Sequence, residues 1–235
     1  MLADVPTAVS SGTLSPGIHR PAAWLDALVD FILEELPKWR SSPGRPPQSG
    51  EVLLTAQLCS HLNSAAHMSS GFDVIQFKNE EPDPVRHARK LDMVPAPCGV
   101  EIWIEGRKHS HYDPLMPIEC KRLPIPPSRE KREYLRTVTS TTGGVQRFKE
   151  GHHGSWRELG VMIAYVQSEP IARWIQRIDR WVKALARVAG PLWTLGDRLH
   201  LDAHDPVSKV AALTSINERS GGLAPIRLRH LWIEM

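Results

Sequence analysis

The run Gly160-Val161-Met162-Ile163-Ala164-Tyr165-Val166 sets the tightest limit on what this chain can fold into. No polar residue alternates within it, so a strand built from it must be covered on both faces, as a central strand of an α/β sheet is. Helices able to cover it stand on either side in sequence. Trp24, Leu25, Leu28, Ile32 and Leu36 recur at helical spacing between Pro21 and Pro37, and Leu54, Leu58 and Leu62 give one apolar face to a second helix starting at about Glu51. Beyond the run, Ser168-Glu169-Pro170 opens a third helix. Its apolar stripe is Ile171, Trp174, Ile175, Ile178, Val182 and Leu185, with Arg173, Arg177, Arg180 and Arg187 largely on another face.

Further strands are expected at 72–77, at Lys90 to Val94, at Val100 to Glu105, at Ile118 to Leu123, and in the tail at 195–201, 210–216 and 226–233. Asn79 to Pro84 reads as a polar turn, and Ser128 as the cap of a helix reaching about Val138. The order of elements predicts an α/β sandwich with a mixed central sheet. Residues 1–20 are rich in Ser, Thr, Pro and Gly without periodicity and read as a flexible arm, which leaves 21–235 as a single domain.

The chemistry concentrates in Pro117-Ile118-Glu119-Cys120-Lys121-Arg122-Leu123, a short strand stopped by Pro124, Pro126 and Pro127. Alternation along a strand puts Glu119 and Lys121 on one face and Ile118 and Cys120 on the other. An acid, Asp92, sits in the earlier strand Lys90-Leu91-Asp92-Met93-Val94. An acid on one strand followed by Glu-x-Lys on a later one resembles the PD-(D/E)XK nuclease superfamily, with Leu91 where the family name has proline.

That resemblance, covering about 51–185, implies the restriction-endonuclease-like form of the sandwich and metal-dependent phosphodiester hydrolysis. It implies that Asp92, Glu119 and the backbone carbonyl of Cys120 hold Mg²⁺, with Mn²⁺ able to substitute. Lys121 would position or activate the attacking water. Hard divalent cations of this kind favour oxygen ligands and keep several waters. Many of these nucleases also bring a glutamate from the helix before the sheet to the metal, which points to Glu51 ahead of Glu34 and Glu35. The long interval from Asp92 to Glu119 leaves two readings open, an extra hairpin strand or an acid supplied by Glu101 or Glu105.

Between the Glu-x-Lys strand and the apolar run lies a glycine-rich connection, Gly143 to Gly154, in which Gln146 and Arg147 are suited to orient a water or a phosphate oxygen. Its Gly-x-x-Arg-Phe-x-x-Gly segment, Gly144 to Gly151, resembles a branch of these nucleases met in bacterial defence loci, and implies an effector acting on phage or other foreign DNA. His152-His153 lacks the further Asn and His that an HNH nuclease needs.

Formal charge is only +3, from 29 basic and 26 acidic residues, so no global basic field marks a nucleic-acid binder. The expected substrate is DNA, with RNA possible, and a protein partner or a second copy of the chain is expected to assist. The three cysteines Cys59, Cys98 and Cys120 are scattered and odd in number, which argues against a disulfide framework and for a reducing cytoplasm. No apolar run reaches the roughly 20 residues that span a bilayer. A catalytically inactive scaffold or binding subunit on the same sheet is the alternative, with the Glu-Lys pair structural.

Overall fold

The computed structural model describes residues 17–188, 190 and 192–235; most of the expected arm lies outside the described residues. The last part of that arm is a strand. β1 (Ile18–Arg20) pairs in parallel with β4 (Ile102–Ile104), whose hairpin partner is β5 (Arg107–His109), and the three form a small separate sheet.

The main sheet has seven strands in the order β2-β3-β6-β7-β10-β9-β8. They are β2 (Ile75–Pro82), β3 (Lys90–Pro97), β6 (Ile118–Leu123), β7 (Leu159–Val166), β8 (His200–Asp205), β9 (Val210–Asn217) and β10 (Ile226–Glu234). Strand directions are mixed: β7 runs parallel to β6 and β10, and the remaining pairings are antiparallel. The apolar run is central and wholly buried, as its composition requires. Val161, Ile163 and Tyr165 face a core built with α1 (Ala23–Arg40) and α2 (Glu51–His67), while Met162, Ala164 and Val166 face α3 (Gly144–Lys149) and α4 (Ile171–Val188). The chain is therefore mixed α/β with helices on both faces of a mixed sheet. Among the described residues no helix is long and apolar enough to cross a membrane.

Where the elements depart from expectation, tertiary contacts outweigh local signals. α1 continues through Pro37 to Arg40 because Trp39 is buried against Tyr165, ring centroids 5.7 Å apart, and Arg40 donates to the carbonyls of Ser208 and Glu234 at 3.1 Å. β2 starts later than expected and absorbs the polar turn: Glu81 and Pro82 pair with Leu91 and Lys90 on an edge strand, where a solvated polar face is tolerated. The helix expected from Ser128 is replaced by turns. Glu130 accepts the backbone N–H groups of Val138 (2.7 Å) and Thr139 (2.9 Å), an alternative to helical bonding. α3 in turn forms where a glycine-rich connection was expected. Gly143 sits there so close to the chain that a Cβ would lie 2.5 Å from Arg136 Cα.

The apolar core under α4 encloses a chain of hydrogen bonds. Trp232 donates to the Tyr134 hydroxyl (2.9 Å), which bonds His230 Nδ1 (2.8 Å), and His230 Nε2 meets Ser215 Oγ (2.9 Å). Neutral His230 with its proton on Nε2 satisfies this chain, and burial pushes the imidazole down to about 3. An unfolded His titrates near 6.5, so below that pH the unfolded chain binds the extra proton and folding is penalised. The His230 contribution to stability is therefore expected to hold above about pH 7 and to be lost as pH drops from about 6.5 toward 3, at up to about 1.4 kcal/mol per unit, so wild type changes with pH by that much more than a protein without the imidazole. His109, pushed down to about 4 by burial and then by Arg157, adds in the same direction. Thermal melts across this range on wild type and His230→Gln check this; equal slopes for the two would contradict it.

Candidate active site

Strand β6 sends Ile118 and Cys120 into the α1–α2 core, so Glu119 and Lys121 leave by the opposite face. Asp92 comes from β3. The ladder between β3 and β6 holds a single pair, Met93 with Ile118, and its continuation would set Asp92 opposite Glu119, with both side chains on one face. The strands part there instead. The Asp92 carboxylate fills the opening and accepts the backbone N–H of Cys120 at 2.7 Å. A strand residue points its N–H and C=O the same way, so the Cys120 carbonyl also faces this opening.

Glu119 is fully buried beneath cations. Its Oε1 accepts Arg147 Nη1 at 2.6 Å and lies 2.8 Å from Lys121 Nζ. His153 Nδ1 stands 3.1 Å from Oε2, an ion-pair distance without hydrogen-bond alignment, and Oε2 is buried with no hydrogen-bond partner. Glu51, at the first turn of α2, accepts the backbone N–H of Arg122 at 3.0 Å and Arg129 Nη1 at 3.2 Å, and lies 3.5 Å from Lys121 Nζ.

Burial pushes the Glu119 carboxyl up, but Lys121, His153 and Arg147 outweigh it and hold it well below the usual carboxylate range. Asp92 moves the other way. Burial, and then the Glu119 charge, push it up to about 7 against the pull of Lys121, the Cys120 N–H and Arg147. Burial lowers the affinity of Lys121 for its proton, and Glu119, Asp92 and Glu51 more than reverse this, so the ammonium stays charged. Asp92, Lys121, Glu51 and Arg147 open onto a cleft of about 450 Å³, whose far wall is Arg129, Glu130 and Glu133 with Thr139 to Thr142 nearby.

Asp92, Glu119, Lys121, Glu51, Cys120 and Arg147 are thus brought together; the other candidates lie elsewhere. Gln146 does not reach the cleft: its Oε1 accepts the Thr137 N–H at 3.0 Å and its Nε2 donates to Glu150 at 2.9 Å, so its amide holds the adjacent loop. Arg147 aims its guanidinium at Glu119, although it also lines the cleft. Glu101 pairs with Lys108 and Glu105 sits in the β4–β5 turn, so both belong to the small sheet. The hairpin reading of the long interval is the one the topology contains. Glu34 and Glu35 flank a different hollow on α1, where Glu35 pairs with Lys38 and His61.

Sequence reasoning missed His153, Glu133 and Arg129. For His153 a signal existed in its flanking glycines. Gly151 and Gly154 have φ of +62° and +63°, and a Cβ on Gly154 would lie 2.5 Å from Pro117 Cγ. That close approach to the start of β6 is what brings His153 against Glu119.

Among the described residues no three His, Cys, Asp or Glu side chains converge to hold a metal by themselves. The donor chemistry nevertheless fits a Mg²⁺-like cation, which takes one or two carboxylates and completes its shell with water and phosphate. Glu119 Oε2 is buried and accepts no hydrogen bond, and Asp92, raised by burial and then by the Glu119 charge, is the acid that a cation beside it would relieve. No family model, curated protein or solved structure matches the chain.

Proposed function

We propose that this chain is a metal-dependent nuclease of the PD-(D/E)XK kind, hydrolysing phosphodiester bonds in DNA, with RNA a second possible substrate. The observation that carries the reading is the parting of β3 and β6, where Asp92, Lys121 and Glu51 meet at one cleft, with Glu119 buried behind it and 2.8 Å from Lys121 Nζ. The succession α2-β2-β3-β6-α3-β7 also agrees with the α-β-β-β-α-β core of the restriction-endonuclease-like fold.

Asp92, Glu119 and the Cys120 carbonyl would hold Mg²⁺ or Mn²⁺. Bound there, the cation supplies charge neutralisation at the scissile phosphate and a more acidic water. The chain's own groups do the rest. Lys121, kept charged by the acids around it, donates to the attacking water or to the anion developing on phosphorus. Arg147 and His153 fix the Glu119 carboxylate, and Glu51 holds Lys121 and the Arg122 backbone in register. Arg129 stands at the rim, where its guanidinium would take two oxygens of a phosphate. An effector role in bacterial defence against phage or foreign DNA rests on the Gly144–Gly151 resemblance, and a cytoplasmic setting with a protein partner or second copy belongs to the same proposal.

One observation favours a different reading, a non-catalytic scaffold. Glu119 is wholly buried and already closed over by Arg147, Lys121 and His153, as a purely structural ion cluster would be. Incubation of the protein with supercoiled plasmid, linear duplex, single-stranded DNA and RNA, in Mg²⁺ or Mn²⁺ against EDTA, separates the two. Metal-dependent cutting of DNA is the expected result; no cutting of any substrate in either metal would favour the scaffold.

A further inference from the structure

Beside the cleft lies a second hollow, of about 280 Å³, lined by Lys131, Arg132, Arg177, Arg180 and Trp181. Its cations come from two elements far apart in sequence. Lys131 and Arg132 belong to the turn segment after β6, which on its other side supplies Ser128, Arg129, Glu130 and Glu133 to the cleft. Arg177 and Arg180 belong to α4. A single stretch of chain therefore separates the two hollows.

The basic face continues along α4. Arg173, Arg177, Arg180 and Arg187 fall within about 80° of one another around a helix of 3.6 residues per turn, and span about 21 Å of its length. That is the rise of about six nucleotides along one strand. Among the described residues Lys131, Arg132, Arg173, Arg180 and Arg187 stand in no ion pair, whereas Arg177 pairs with Glu169 at 2.7 Å and stacks over Trp174 at 4.3 Å. Arg173, Arg180 and Arg187 are exposed. Planar, unpaired guanidinium groups in a row suit successive phosphates. Trp174 and Trp181 are largely covered, so the face offers little of the apolar area on which a protein partner would dock.

We propose that duplex DNA lies with one backbone along the arginine face of α4 and crosses the Arg129–Arg132 segment into the cleft. This deepens the nuclease reading and rests on it for what happens at the cleft, but binding along the groove needs neither metal nor cutting.

The test is therefore made in EDTA. Fluorescence anisotropy of a labelled duplex of roughly two helical turns is followed against salt for wild type, for K131Q/R132Q/R180Q, and for K38Q/K108Q/K209Q, which carries the same change in charge on other surfaces. Each lost phosphate contact flattens the slope of log K against log salt by about 0.9, so the groove variant is expected to lose about 2.7 of slope while the control keeps the wild-type value. Equal slopes for all three proteins would overturn the groove, as would polyglutamate competing as well as the duplex does, which would assign the face to an acidic protein. Groove-dependent binding by a protein that never cuts in Mg²⁺ would keep the groove and remove the nuclease. Cutting with slopes that do not distinguish the variants would do the reverse.

Discussion

Lys121→Met is expected to lower the Mg²⁺-dependent cutting rate by roughly 10²–10³-fold, the usual loss when one preorganised group that stabilises transition-state charge is removed. Methionine retains the length and most of the volume of the buried stem. Glu119 would still have Arg147 at 2.6 Å and His153 at 3.1 Å, so its charge is not stranded. Thermal melting should consequently change little, and the kinetic loss can be read as chemistry. Glu119→Ala should abolish cutting as well, but it leaves two buried cations facing one another and is expected to cost about 3–5 kcal/mol of stability, as breaking a buried ion pair does. Single-turnover cleavage of a linear duplex, with melting curves alongside, measures both. A Lys121→Met protein that cuts at the wild-type rate would place the chemistry at another site.

A loss of stability as large as that of Glu119→Ala is expected away from the cleft. Lys149 at the end of α3 is wholly buried and donates to Asp197, itself buried, while its ammonium stands 5.2 Å from the Trp193 ring centroid. Burial lowers the pKa of Lys149, and Asp197 opposes that shift. Asp197 also accepts the Thr194 N–H at 2.7 Å in a capping box that closes the turn Leu195–Asp197. Lys149→Met would leave that carboxylate in the core without its cation, a loss of about 3–5 kcal/mol. For a chain of this size that is a melting temperature lower by roughly 10 °C. Lys149→Met/Asp197→Asn should recover most of the loss, because asparagine keeps the acceptor for Thr194 and brings no charge. Circular-dichroism melts of the single and double variants decide it, and a single variant as stable as wild type would sink the argument.

Lys149 itself illustrates what the sequence does not carry. Its partner lies 48 residues away, and no local pattern joins them. The same holds for Arg147, which reads as a phosphate ligand in a glycine-rich connection and is spent on Glu119, and for Gln146, whose amide is used inside its own loop. What could be read was what periodicity and punctuation encode. The unbroken apolar run located β7, strand alternation put Glu119 and Lys121 on one face, and Pro-rich punctuation ended β6. Asp92 was legible as an acid on a strand, although its hydrogen bond to Cys120 depends on a strand separation that no residue pattern announces. α1 overran Pro37 and the Ser128 segment failed to become a helix for one physical reason. Side-chain contacts outbid local propensity: Trp39 is buried against Tyr165 across the fold, and the Glu130 carboxylate takes backbone N–H groups eight and nine residues further along its own loop.

The one-pair ladder between β3 and β6 also divides the sheet mechanically. On one side stands a continuous five-strand block from β6 to β8; on the other, the β2–β3 hairpin shares with it only the Met93–Ile118 ladder pair, is held further by the Asp92 bond to Cys120, the Leu115 N–H to Pro95 and the Gly154 N–H to Asp83, and rests on α2. Ladder pairing within the main sheet is thinnest along this seam, and native proteins open first along such boundaries between cooperative units. Asp92 rides on the smaller unit while Glu119 and Lys121 ride on the larger one. The distance between the two acids is thus governed by the softest internal joint of the main sheet, and any group that bridges them also clasps its two halves.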